Sequence, residues 1–111
     1  MTNYAVGHGA EKRAAEYLVG EGFKVRDLNW KTRYCEIDIV AEKDKRMYFV
    51  EVKYRRNSNQ GHGLDYILPK KLKQMRFAAE MWVSNHQWPG EYQLAVLSID
   101  ADEITFIDDL S

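Results

Sequence analysis

Glu36-Ile37-Asp38-Ile39-Val40-Ala41-Glu42 and Met47-Tyr48-Phe49-Val50-Glu51-Val52-Lys53-Tyr54, joined by Lys43-Asp44-Lys45-Arg46, decide how this chain is to be read. Both runs have the β-branched and aromatic content of strands, and the polar link between them is short enough for a hairpin. A two-residue turn at Asp44-Lys45 would set Glu42 opposite Met47, Asp38 opposite Glu51 and Glu36 opposite Lys53; a four-residue loop keeps that parity, and a three-residue loop without a bulge turns Asp38 to the other side. The pleat sends successive side chains to opposite faces, so Glu36 and Asp38 share one side while Ile37 and Ile39 take the other. Glu51 and Lys53 pair up in the same manner. Directly opposed residues point the same way with Cβ atoms about 5 Å apart, which gathers two carboxylates and an ammonium on one face.

Ile37, Ile39, Val40, Phe49, Val50 and Val52 make both runs apolar enough for burial on both faces of the sheet. Two carboxylates side by side in such a setting repel each other and need positive charge. Lys53 supplies one charge; Mg²⁺ suits a site of one or two carboxylates, retained water and a phosphate oxygen. A cation there lowers the pKa of bound water and polarises a phosphoryl group, with the lysine orienting the nucleophile or countering developing charge. A second reading stands beside this one: a cross-strand salt bridge on an exposed sheet face, worth about 0 to 1 kcal/mol.

Leu28-Asn29-Trp30-Lys31, Glu36-Ile37-Asp38-Ile39-Val40, Tyr48-Phe49-Val50-Glu51-Val52-Lys53-Tyr54-Arg55 and Lys71 together resemble the YraN family, small bacterial proteins of restriction-endonuclease-like fold. That family is similar to archaeal Holliday-junction resolvases and belongs to the PD-(D/E)xK nuclease superfamily. The resemblance runs from about Gly7 to about Ile99. It implies a catalytic set of Asp38, Glu51, Lys53 and Glu11, with Asp38, Glu51 and the auxiliary Glu11 as ligands of Mg²⁺ or Mn²⁺ and Lys53 as the catalytic lysine. It also implies phosphodiester hydrolysis of DNA, branched or structured DNA included, and a homodimer, since the resolvases act as dimers. A nuclease fold without catalysis, binding nucleic acid or protein, is the alternative it leaves. The chain departs from the family pattern at Ala10 and Cys35, where glycine is usual, and at Leu94, where an acid is common.

One domain over residues 1–111 is expected from length, with 45% apolar residues for its core. Cys35 stands alone, so no internal disulfide forms, and no apolar run reaches the roughly 20 residues of a membrane span or has the layout of a secretory signal. A cytoplasmic protein with no membrane partner is the expectation. Net charge is -1, unusual for a protein meeting phosphates. The charge is polarised, however: Lys53, Arg55, Arg56, Lys70, Lys71, Lys73 and Arg76 face only Asp65 in their segment, while Asp100, Asp102, Glu103, Asp108 and Asp109 crowd the end. Arg55, Arg56, Lys70 and Lys71 are the candidate nucleic-acid contacts.

The remaining periodicity gives helix, three strands, helix, two strands, an α/β (α+β) order with a mixed central sheet flanked by helices. Gly7 to Glu21 reads as a helix carrying Glu11 in phase with Ala14, Ala15 and Leu18, so that its carboxylate meets a lysine, a cation or a polar cleft, or lies at the helix edge in water. Phe23 to Trp30, Cys35 to Glu42 and Arg46 to Tyr54 read as an antiparallel meander. Pro69 opens a helix to about Asn85 with Leu72, Met75, Ala79, Trp82 and Val83 inward. Trp88-Pro89-Gly90 marks a turn before strands at Tyr92 to Ile99 and Ile104 to Ile107. Arg55 to Tyr66, with Gly61-His62-Gly63, is a long segment without periodicity and a candidate for closing over a strand of nucleic acid. His8, His62 and His86 lack the spacing of a zinc site. Exposed Trp88 and the acidic tail would matter most in a protein-interaction module.

Overall fold

The computed structural model describes residues 2–55 and 67–111, with side chains described from residue 9 onward. Its elements follow the expected order: α1 (Thr2–Gly20), β1 (Lys24–Lys31), β2 (Glu36–Lys43), β3 (Arg46–Arg55), α2 (Pro69–His86), β4 (Glu91–Asp100) and β5 (Glu103–Ile107). The five strands form one sheet in the order β1-β2-β3-β4-β5. β1, β2 and β3 are an antiparallel meander, β4 runs parallel to β3, and β5 returns antiparallel along β4. Parallel neighbours need a crossover, and α2 supplies it. This is a mixed sheet flanked by helices, matching a restriction-endonuclease-like core.

Each face of the sheet is covered by one helix. Ala10, Ala14 and Leu18 recur at four-residue spacing along α1 and pack on Ile39, Ala41, Val50, Ala95, Leu97 and Ile99. On the other face, Ala78, Ala79 and Trp82 of α2 pack on Ile37, Val40, Met47 and Phe49. Burial on both faces explains the near-continuous apolar runs of β3 and β4. Leu94 and Trp88 are partly buried against the α2 cluster, and the Trp88 indole donates to the Glu91 carbonyl at 3.0 Å. Trp88 is therefore a packing residue, not the exposed aromatic anticipated from sequence. Among the described residues no helix is long and apolar enough to cross a membrane.

α1 begins at Thr2, five residues before the expected start, and runs through Gly7 and Gly9. Both helices end in the same way. Phe23 N–H donates to the Leu18 carbonyl and Gly22 N–H to Val19, with Gly22 at φ +95°; Trp88 N–H and Gln87 N–H repeat the pattern on Val83 and Ser84, with Gln87 at φ 51°. Glycine takes the left-handed position without cost at the first end, glutamine at the second.

The hairpin between β2 and β3 has the two-residue turn that places Glu42 opposite Met47. Asp44 and Lys45 both have positive φ, 53° and 65°, as a type I′ turn requires even though neither is Gly or Asn. The recorded pairs run from Lys43 with Arg46 to Ile39 with Val50 and stop there. Beyond that point β2 and β3 part, while β3 continues beside β4 as far as Arg55 with Asp100.

Strict alternation fails at the same place. Ile39 packs under α1, whereas Ile37 packs under α2 together with Trp30, so the two isoleucines do not share a face as the sequence suggested. The strand partner of this step is Asn29, between Leu28 (paired with Ile39) and Trp30 (paired with Ile37), and Asn29 has φ 51°. A left-handed residue turns the strand about its axis, and asparagine is among the few side chains that tolerate it. Asp38 lies at this bend. Glu36 is consequently exposed and paired with Lys31 at 3.9 Å, not set opposite Lys53.

Candidate functional site

The site is the fork where β2 and β3 separate. Past Ile39, the Val52 N–H donates not to a strand carbonyl but to Asp38 Oδ2 at 2.8 Å. That bond fixes one carboxylate oxygen across the fork and spends a β3 donor that the departing strand leaves available. Alternation along β3 sets Met47 and Phe49 on the α2 side, and Glu51 and Lys53 continue the same row. Glu51 Oε2 receives two ammonium groups, Lys53 Nζ at 3.5 Å and Lys71 Nζ at 3.2 Å. Glu51 has only 15% of its side chain exposed, against 29% and 35% for the lysines. Lys71 comes from the first turns of α2, where no acidic residue opens the helix and its dipole disfavours cations. Its pairing with Glu51 offsets that cost.

The electrostatics of the fork are set first by burial and then by neighbouring carboxylates. Burial, chiefly, and then the charge of Glu51 push the Asp38 carboxyl up from 3.8 to about 7; the Val52 N–H pulls the other way, and Glu11 and Glu36 add to the rise. Glu51, next after burial among the causes, acts on Asp38 across the fork, one residue past the last pair of the ladder, Ile39 with Val50. Glu11 on α1 reaches the same field from the opposite face, half-buried in phase with Ala14 and Leu18. A carboxyl near 7 is shared between its acid and its anion at neutral pH. It can accept or release a proton there, and it can answer an incoming cation by losing that proton.

Asp38, Glu51, Lys53 and Glu11 are thus brought to one end of the sheet, and Lys71 joins them by direct contact with Glu51. Lys70 is exposed one residue earlier on α2. Arg55 closes β3 opposite Asp100 with its Nε buried. Arg56 and the rest of the segment to Tyr66, including His62, lie outside the described residues, as does the His8 side chain. His86 stacks on Trp82 at 4.0 Å, on the far side of the α2 cluster. The resemblance implies Mg²⁺ or Mn²⁺ on Asp38, Glu51 and Glu11. Among the described residues, however, no three His, Cys, Asp or Glu side chains are grouped so as to hold a metal ion. One Glu51 oxygen is also engaged by two lysines. As placed, the acids do not fit a resident ion.

A cavity of about 660 Å³ opens from Glu51 toward solvent, between the Thr32–Cys35 connection and α2. Lys70, Lys71 and Lys73 line it, with Tyr34 and Phe77. Sequence reasoning passed over both rings. The signal was present: Phe77 is out of phase with the buried Met75, Ala78, Ala79 and Trp82, and Tyr34 sits in a polar turn.

Comparison with known proteins gives the same frame. Residues 10–103 match the model of the uncharacterised protein family UPF0102. A UPF0102 protein of Nitratiruptor sp. is 31% identical over 111 residues, covering 100% of this chain and 96% of its own length. One from Syntrophomonas wolfei is 37% identical over 98 residues, covering 87% and 85% respectively. One from Tropheryma whipplei is 36% identical over 110 residues, covering 99% and 89%. With the splayed hairpin, the Asp38 and Glu51-x-Lys53 constellation and this match across most of its length, the chain belongs to the UPF0102 family, structurally related to the YraN-like members of the PD-(D/E)xK superfamily.

Proposed function

We propose that this protein is a nucleic-acid-binding module built on a nuclease fold, which engages the phosphate backbone through the lysines of the fork and of α2. The observation that carries the reading is the Glu51 carboxylate held between Lys53 and Lys71 on the wall of a lysine-lined cavity. Each lysine in such a pair retains N–H donors beyond the one it gives the carboxylate, and a phosphate oxygen arriving at the rim would compete for Lys71 while Lys53 holds Glu51 in place. Lys70 and Lys73 extend the positive rim along α2, and Arg55 and Arg56 are the further contacts that the basic run supplies. Contacts of this kind position a strand and carry no sequence information, so the module would favour structure over sequence. The near-neutral total charge is compatible because the basic residues are segregated from the acidic C-terminal segment.

Fluorescence anisotropy of labelled branched, duplex and single-stranded DNA, with chelator present, tests the reading. Binding that survives chelation and weakens steeply with salt is the expected result. Absence of binding at low salt to all three forms refutes it.

A second reading, divalent-metal-dependent hydrolysis of DNA, branched DNA included, is favoured by the burial of Asp38 in the field of Glu51 and Glu11, which raises its carboxyl. Asp38, Glu51 and Glu11 are the donors that Mg²⁺ or Mn²⁺ would use once a phosphate draws Lys71 from Glu51, with Lys53 as the catalytic lysine. Calorimetric titration of Mn²⁺ into the wild type and Asp38→Asn, with and without DNA, separates the two readings. Heat of binding that appears only with DNA and vanishes in the variant supports hydrolysis, and a flat titration in every case supports binding alone.

A further inference from the structure

We infer that the cavity beside Glu51 binds an unpaired nucleotide of a nucleic-acid strand, its phosphate on the α2 lysines and its base on the rings of Tyr34 and Phe77. The inference rests on the nucleic-acid reading above and gives the form of the ligand. A cavity of about 660 Å³ lies within the range of small-ligand sites and exceeds what phosphate contact alone requires. Its lining combines two chemistries. Lys70, Lys71 and Lys73 supply cations at one part of the wall, while Tyr34, 68% exposed, and Phe77, 47% exposed, supply aromatic surface.

Neither ring is needed by the core. Phe77 lies off the buried stripe of α2, and Tyr34 projects from a turn whose neighbours are polar. Two large apolar groups left in water around one cavity are a recognition surface for something flat and partly apolar. Within a duplex the base faces are covered by stacking, so only a base without a stacked neighbour can use the rings. The Tyr34 platform is also preset: Thr32 Oγ1 accepts from the Tyr34 N–H at 3.0 Å and the Cys35 N–H at 3.2 Å, and Thr32 N–H donates to the Cys35 carbonyl at 2.9 Å. The backbone under the ring is thus ordered before binding. The Arg33 guanidinium carbon lies over the Tyr34 ring, 5.5 Å from its centre, and places a cation on one of its faces.

The test measures the affinity of a labelled oligothymidine and of a blunt duplex of equal length for the wild type, Tyr34→Ala, Phe77→Ala and Tyr34→Phe. Both rings are exposed, so the variants fold; far-ultraviolet circular dichroism checks it. Each alanine variant should lose on the order of tenfold or more for the oligothymidine, with duplex affinity unchanged and Tyr34→Phe near wild type. Alanine variants that bind oligothymidine as tightly as the wild type overturn the inference and leave the binding function standing. A wild type that binds no nucleic acid overturns both.

Discussion

Asp38→Asn should make the protein more stable at neutral pH and leave it almost unchanged in mild acid. The folded chain holds the Asp38 carboxyl at about 7, above the 3.8 of an exposed aspartate. The native state therefore keeps its proton over a range where the unfolded chain has lost it. Stability on this account is fully present below about pH 4, declines as pH rises toward 7 and is flat beyond. The shift sets a ceiling of about 4 kcal/mol at pH 8. Because Asp38 titrates in the field of Glu51, part of that belongs to the pair, and a gain of about 2 kcal/mol is the expected size for one residue. Asparagine keeps an oxygen to accept the Val52 N–H, so the strand fork is preserved while the charge is removed. Urea denaturation followed by tryptophan fluorescence, at pH 4.5 and pH 8 in chelating buffer, reads the difference directly; Trp82 is buried and reports loss of the core. A variant equally shifted at both pH values, or less stable than wild type at pH 8, would refute the claim that carboxyl crowding strains this end of the sheet.

Further expectations concern separate parts of the molecule. Lys71→Met should weaken DNA binding and lower the slope of log affinity against log salt by about 0.7 to 0.9, one phosphate contact, while stability moves by less than about 1 kcal/mol because Lys53 still holds Glu51. Replacing Asp44-Lys45 by Asn-Gly should raise the urea midpoint by the equivalent of about 1 kcal/mol, since the left-handed pair then carries residues suited to it. Asp27→Ala should cost about 1 to 3 kcal/mol in urea denaturation by removing the acceptor 2.8 Å from the buried Trp82 indole N–H. Gly90→Ala should lower thermal stability by about 1 to 3 kcal/mol, because its methyl would stand 2.8 Å from the Trp88 ring and 3.2 Å from the Lys45 carbonyl.

Element order was legible because the chain's periodicities are clean. The α2 stripe and the apolar runs of β3 and β4 each permitted one local structure, whereas the polar link at Asp44-Lys45 admitted more than one loop length. Asp38 and Glu51 could be set on adjoining strands from the hairpin, although the ladder ends at Ile39 with Val50, one residue short of that pair. Three features escaped. The first residues of α1, Thr2 to Val6, lie ahead of Gly7, where the helical reading of the sequence began. The exchange of faces between Ile37 and Ile39 depends on the left-handed Asn29 in the neighbouring strand, and alternation within β2 contains no sign of it. The contact between Glu51 and Lys71 joins residues twenty positions apart through the docking of α2, which is a property of tertiary packing. The cavity rings were missed because isolated exposed aromatics are ordinary until their common cleft is seen.

The left-handed Asn29 binds two requirements into one. The same rotation that seats Ile37 and Trp30 beneath α2 also withdraws Asp38 from regular pairing and presents its oxygen to Val52. Straightening that strand would turn an isoleucine and a tryptophan outward along with the acid. Loss of the Asp38 geometry would thus be accompanied by loss of hydrophobic burial, and selection for a folded chain alone would guard the posture of the carboxyl.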